Sequence, residues 1–359
     1  MHKLIIATFA LVASVVAANA QTEFRHINFE EAKAAAKAEN KKIFIDFYTS
    51  WCGPCKRLAA NVFPTKEVGD YLNAKYVCLK LDAEKEGAEL AKRFNVTAYP
   101  TLAVVSADGT LIGSFAGAKE GEEFIAAVET CNDPELKEDL VKARYEKGDR
   151  TPKIVHAYAN MILDNARDYM SGMEKSKKVI GEYYDSLSDD ARVLAENKFM
   201  FTKYTHDYSS PRFKFMLDNQ HKFPQEISAE ISKVIKNVYM GEASNYFTDK
   251  SKSTKSAAYQ QFKKEAAELG LLPEFGKRLE FAEKRAESND KDYLDFCDLN
   301  FAKLSPDEQQ SFLYHITQIF STETAEQRMS VSSLVRKYIG TLTPECVYFG
   351  ATAIMTLEK

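Results

Sequence analysis

The stretch Trp51-Cys52-Gly53-Pro54-Cys55-Lys56 constrains this chain more than any other. Two thiols stand three residues apart, directly after Lys42-Ile43-Phe44-Ile45-Asp46-Phe47-Tyr48, a short apolar run that reads as a buried strand. A thiol in the first turn of a helix meets unpaired backbone N–H groups and the positive end of the helix dipole, and both favour the thiolate. Cys52 is therefore expected to be exposed and reactive, and Cys55 shielded. A thiolate with a second cysteine behind it can attack a foreign disulfide and then be released by its neighbour. The pattern points to thiol–disulfide exchange. Half a zinc site is the rival reading, but a structural zinc needs four ligands. The chain has no second Cys-x-x-Cys and no His-x-x-x-His. No metal and no cofactor is expected.

The residues around the pair predict an alternation of strands and helices. Asn28 with Glu31 forms a capping pattern and opens a helix through about residue 39. The strand at 43–48 leads into the helix that begins at Cys52. Helices are expected at about 66–73, 86–94 and 120–130, and strands at 76–81, 102–106 and 111–115. Asp108-Gly109 marks a hairpin between the last two strands. Elements in this order build one sheet with helices packed on it.

After Cys131 no strand pattern is found. Asp133-Pro134, Thr151-Pro152, Ser210-Pro211, Ser305-Pro306 and Thr343-Pro344 each pair an N-cap residue with proline at the first helical position. Pro224 and Pro273 are expected to open helices as well. Between these marks apolar residues recur at helical spacing, as in Ile227, Ile231, Val234, Ile235 and Val238. Ten to twelve helices are expected, either as stacked helical hairpins or as a compact irregular bundle.

Several ordered landmarks between about residues 25 and 130 resemble the thioredoxin family. They are Cys52-Gly53-Pro54-Cys55, Asp46 six residues earlier, Lys80 in the next strand, the loop Val96-Thr97-Ala98-Tyr99-Pro100-Thr101, and Gly109 and Gly117. The resemblance implies an α/β thioredoxin fold, a mixed central sheet with flanking helices, followed here by an all-α domain. It implies that Cys52 attacks, that Cys55 resolves, and that Asp46 is a buried base to Cys55 with Lys80 as its partner. It makes Tyr99–Pro100 a cis bond. Trp51, Gly53, Pro54, Tyr99, Pro100 and Thr101 become the substrate-binding surface. Ala60 stands where thioredoxin proper usually has a proline inside the helix. Asn61 to Val68 break and restart that helix instead, which is more similar to the periplasmic thioredoxin-like domains of transmembrane thiol:disulfide interchange proteins.

Residues 1–20 look like a secretory signal. A short basic start is followed by an apolar run from Leu4 to Val16 and by Ala18-Asn19-Ala20 before Gln21. A periplasmic location follows as an expectation. At 359 residues the chain exceeds one thioredoxin fold, so a thioredoxin-like domain at 21–131 and a helical domain at 132–359 are expected. A net charge of −4 with acids and bases well mixed leaves no nucleic-acid footprint. Cys78 reads as a small buried apolar residue. Cys131, Cys297 and Cys346 leave one structural bridge open, with no pairing favoured. The expected activity is reduction of disulfides in protein substrates, with re-reduction by a membrane thiol:disulfide interchange protein. The alternatives are a disulfide isomerase or oxidase, or a client-binding protein with a redox-gated thioredoxin module.

Overall fold

The computed structural model describes residues 21–166 and 168–359. The expected leader, residues 1–20, lies outside the described residues. The chain divides into two compact units, one ending at Val179 and the other running from Ile180 to Lys359.

The first unit carries the sheet. Its strands are β1 Lys42–Tyr48, β2 Tyr76–Asp82, β3 Thr101–Val105 and β4 Leu111–Ala116, in the spatial order β2-β1-β3-β4. β1 pairs parallel with β2 and antiparallel with β3, and β3 pairs antiparallel with β4. The helices are α1 Phe29–Glu39, α2 Gly53–Arg57, α3 Lys66–Lys75, α4 Ala88–Arg93 and α5 Gly121–Asn132. The capping box at the start of α1 forms as the sequence predicts, with Asn28 and Glu31 each bonding the other's backbone N–H. The Asp108-Gly109 turn forms too, with Gly109 at φ 92° and the Asp108 carboxylate accepting from the Thr110 N–H.

Strand alternation sorts the apolar side chains into two layers. Ile43, Ile45 and Phe47 meet α1 and α4 on one face of the sheet, together with Val77, Leu79 and Ala103. Phe44, Cys78, Leu102 and Val104 meet the other layer, built from Leu58, Phe63, Leu72 and Phe124. β1 is thus buried on both faces, as a central strand requires.

α5 ends on Asn132, whose side chain donates to the Tyr76 hydroxyl and accepts from Lys42, both at 2.6 Å. This tie fastens the end of α5 to β1 and β2 one residue after Cys131. Helices α6 Glu138–Glu146 and α7 Pro152–Asp164, and the start of α8 Tyr169–Ser186, belong to the same compact unit.

Among the described residues no strand follows β4. Beyond Asn132 they form eleven α-helices of eight residues or more and three single turns of four. Each of the five N-cap–proline pairs opens a helical segment. Pro224 and Pro273 introduce 3-10 turns rather than α-helices. The second unit has its own apolar core, which includes Phe247, Phe281, Phe312, Ile316 and Val335. Arg285 closes the end of its helix Ser228–Thr248 by donating to the carbonyls of Tyr246, Phe247 and Asp249. Cys78, Cys131, Cys297 and Cys346 are all free, so no structural bridge joins the latter three. Burial pushes the Cys78, Cys131 and Cys297 thiols up to about 12. No helix of the described residues is long and apolar enough to cross a membrane.

Phe44 is the hub of the layer beneath α2. It is fully buried, with the rings of Phe124, Tyr76 and Phe63 at 6.0, 6.2 and 6.5 Å. Phe44→Ala is expected to destabilise this unit by about 3–5 kcal/mol, because the cavity cannot collapse between a sheet and two helices. Urea unfolding followed by the fluorescence of Trp51, the only tryptophan, measures it. A loss below about 1 kcal/mol would refute the rigid-hub reading.

Candidate functional site

The site forms where the C-terminal end of β1, the start of α2 and the start of β3 converge. Antiparallel pairing explains the convergence. Thr101 is opposite Phe47, so β3 begins where β1 is about to release the chain into the cysteine pair.

Cys52 is the N-cap of α2. Its N–H donates to the Thr49 carbonyl at 3.2 Å, and its sulfur accepts from the Cys55 N–H at 3.1 Å. Pro54 lies in the first turn, where a missing N–H costs no helical hydrogen bond. Gly53 is exposed, and a Cβ built there meets nothing within 4 Å. Cys52 and Cys55 form a disulfide with Cα atoms 5.3 Å apart. Cys52 is only 3% exposed and Cys55 only 2%. This corrects the expectation of an exposed Cys52, at least for the oxidised form. There its sulfur is bonded to Cys55 and turned over the first backbone N–H groups of α2.

α2 runs straight into a π-helical turn at Leu58–Val62, closed by the Phe63 N–H on the Leu58 carbonyl at 3.0 Å. The break expected over residues 61–68 is this widened turn followed by a restart at Lys66. It directs Leu58, Val62 and Phe63 into the layer under the sheet.

Asp46 lies on the α2 face of β1, two positions after Phe44, and is fully buried. Lys80 is its register partner on β2, and the Lys80 ammonium donates to Asp46 Oδ2 at 2.8 Å. Among the described residues Oδ1 has no hydrogen-bond partner. Burial pushes the Asp46 carboxyl above its ordinary value, and the Lys80 charge and hydrogen bond oppose that push. The expected Asp46–Lys80 contact is therefore present.

The loop before β3 has a cis Tyr99–Pro100 bond. The Pro100 carbonyl accepts from Gly117, which sits at φ 88°, and the Thr101 hydroxyl donates to the Ala98 carbonyl. Pro100 and Thr101 are buried, and Tyr99 is half-buried. Trp51 is 64% exposed, with its ring edge-on to Tyr99 at 5.9 Å. The two rings form one aromatic pair, on the residue that precedes Cys52 and the residue that precedes the cis-proline. Glu84, which the sequence analysis did not single out, accepts from the Trp51 indole N–H at 3.0 Å. The Glu84 backbone N–H donates in turn to Asp82. No local pattern in residues 82–87 marks this role, because it depends on a contact across 33 positions.

Chemically, the arrangement combines a vicinal cysteine pair at a helix start with a buried carboxylate on the same face of the sheet. Burial lets this carboxyl hold a proton to higher pH than an ordinary aspartate does. Its raised value has a consequence for stability. Between about pH 4 and that value the folded chain binds more protons than the unfolded one, so stability falls as pH rises through the window. Asp46→Asn is expected to raise the urea midpoint of this unit at neutral pH and to lose that advantage below about pH 4. Trp51 fluorescence in urea at the two pH values tests it, and a destabilised variant at neutral pH would contradict the stated balance.

A family model described as a thioredoxin-like domain matches residues 29–132. Thioredoxin-3, mitochondrial, of Saccharomyces cerevisiae is 41% identical over 80 residues, which are 22% of this chain and 58% of that one. The chain thus spans little more than half the length of that relative. Thioredoxin-1 of Drosophila melanogaster is 39% identical over 88 residues, 24% of this chain and 78% of the relative. A solution structure from Bacteroides thetaiotaomicron, proposed to be a disulphide-isomerase, is 40% identical and covers 32% of this chain and 95% of its own, with a TM-score of 0.30. With the cysteine pair, the cis-proline loop and the mixed sheet all in one unit, this chain belongs to the thioredoxin family.

Proposed function

We propose that the protein is a periplasmic thiol–disulfide oxidoreductase that reduces disulfides in protein substrates through Cys52 and Cys55. The observation that carries the reading is the Cys52–Cys55 disulfide at the start of α2, with the buried Asp46 on the same face of the sheet.

In the reduced protein the Cys52 thiolate attacks one sulfur of a substrate disulfide. A mixed disulfide forms and one substrate thiolate leaves. Asp46 accepts the Cys55 proton, and the Cys55 thiolate attacks the Cys52 sulfur. The second substrate thiolate leaves, and the protein holds the disulfide. Two electrons have passed to the substrate. Trp51 and Tyr99 supply an apolar wall, and the open space above Gly53 lets a substrate chain come close. Pro54, Pro100 and Thr101 complete the surface. The Gly-Pro pair between the cysteines, which reducing thioredoxins also carry, supports the reductive direction. The leader-like sequence of residues 1–20 supports the periplasm, and re-reduction there would fall to a membrane thiol:disulfide interchange protein.

The purified protein should reduce insulin disulfides when supplied with dithiothreitol. Cys55→Ser should accumulate mixed disulfides through Cys52, and Cys52→Ser should accumulate none. Non-reducing gels of cells carrying each variant decide this. Equal trapping by both would remove the role assignment. Reactivation of scrambled ribonuclease without insulin reduction would replace the reductive reading with isomerisation.

The helical region is proposed to select or position clients, either as stacked hairpins or as a compact bundle. Its separate apolar core and well-capped helices support a folded domain. A chain ending after Asn132 should still reduce insulin yet lose preference among native clients in a trapping experiment. An unchanged client profile would refute the selection role.

A further inference from the structure

Lys80 is held by more than Asp46. Its ammonium lies 4.7 Å from the Tyr48 ring centroid, 5.5 Å from Phe63 and 5.7 Å from Phe24. The three rings come from three places: the end of β1, the residue closing the π-helical turn, and the segment ahead of α1.

That segment is stitched down along its length. The Thr22 N–H donates to the Phe63 carbonyl and the Arg25 N–H to the Cys78 carbonyl, both at 2.8 Å. Asn73 of α3 clamps it from the side, accepting from the Glu23 N–H and donating to the Gln21 carbonyl, both at 2.9 Å. Phe24 forms a parallel bridge with Cys78, two residues before Lys80 on β2. Its ring is edge-on to Phe63 at 4.8 Å. The segment forms no strand of the sheet, yet its ring packs against the layer of Phe44, Phe63 and Phe124 and faces the Lys80 ammonium as well.

A lysine on a flexible stem, with its side chain 27% exposed, is free to exchange a buried partner for water. Aromatic faces attract an ammonium and make it easier to keep desolvated. Among the described residues Lys80 alone donates a hydrogen bond to the Asp46 carboxylate, and the other carboxylate oxygen has no partner. Where Lys80 rests therefore decides how well the Asp46 charge is balanced.

We propose that Phe24, Tyr48 and Phe63 form an aromatic cage that holds Lys80 against Asp46, and so act as positioning residues that set the pH at which Asp46 can take the resolving thiol's proton. The proposal rests on the reading of Asp46 as base to Cys55. Other ionisable groups around the pair are the Tyr48 phenol, with Asp82, Lys85 and Glu86 acting on it from the end of β2 and the loop beyond. Cys78 on β2 has Glu23 and Arg25 of the N-terminal segment and Lys41 acting on it. Tyr71 and Tyr76 belong to the same layer from α3 and β2. Phe24→Leu leaves all of these in place and keeps the site apolar while removing one ring face.

The test uses the full chain with thionitrobenzoate placed on Cys52 as a mixed disulfide. Release of the chromophore by Cys55 is followed in stopped flow across pH. Lys80→Met should move the acid limb of the profile upward, since the balancing cation is gone. Phe24→Leu should move it the same way by less, slowing release below the limb roughly two- to fivefold. In the Lys80→Met background Phe24→Leu should add no shift. An unmoved limb in Phe24→Leu, or an equal shift with and without Lys80, overturns the cage. A limb that survives in Asp46→Asn overturns the base assignment itself and the cage with it, so the two failures are told apart. Should Phe24→Leu fail to fold, Tyr48→Leu, at a half-buried position, reads the same arm.

Discussion

β1 is hydrogen-bonded along both edges and covered on both faces, and each side of it delivers one part of the site. Its parallel edge sets Lys80 opposite Asp46. Its antiparallel edge sets Thr101, just after the cis-proline, opposite Phe47. Its far end passes through Thr49 into the cysteine pair. Its α2 face buries Asp46 two residues along from Phe44. A register slip of one residue on β1 would turn Asp46 to the opposite layer among Ile43, Ile45 and Phe47 and undo all of this at once. The dense apolar packing of Phe44 is therefore as much a part of the site as the thiols, because it fixes the register.

A buried carboxylate in such a strand works against stability. Desolvation disfavours its charge, and a single lysine at the margin of the core compensates only in part. One oxygen is left without a hydrogen bond. An ordinary core would place an aliphatic residue here. The tension is understandable if the carboxyl must exchange a proton near neutral pH, which a well-solvated aspartate cannot do efficiently. The aromatic groups around Lys80 and the stitched segment at residues 21–25 fit the same logic. They restrain the one cation on which the balance depends.

The helical region follows simpler physics. Five of its helical segments start with a hydroxyl or carboxylate N-cap followed by proline, and its helices bury aromatic side chains in a core of their own. The half-buried Arg285 donates to carbonyls at the end of the Ser228–Thr248 helix, and the buried Glu308 accepts from the Ser305 and Lys277 N–H groups and pairs with Arg278. Arg285 satisfies carbonyls at a helix end and Glu308 satisfies N–H groups at two helix starts.

Much of this protein was legible in the sequence because its signals are local. The Asn28 capping box, the Asp108-Gly109 turn, the short apolar run of β1, the cysteine spacing and the five N-cap–proline pairs each depend on residues a few positions apart. Local energetics decide such features before any tertiary contact forms. The structure changed what depends on distant partners. It left Cys131, Cys297 and Cys346 as free thiols and reduced Pro224 and Pro273 to 3-10 turns. It buried Cys52 in the disulfide. It also revealed Glu84 under Trp51, and Phe24 and Phe63 around Lys80. None of these has a sequence signature, since a ring 56 positions from a lysine acquires its role only when a bridge to β2 and a widened helical turn bring both to one spot. Short-range hydrogen bonding and side-chain period determined the elements. Long-range burial, which the chain can satisfy only once it is folded, decided which charges and rings meet.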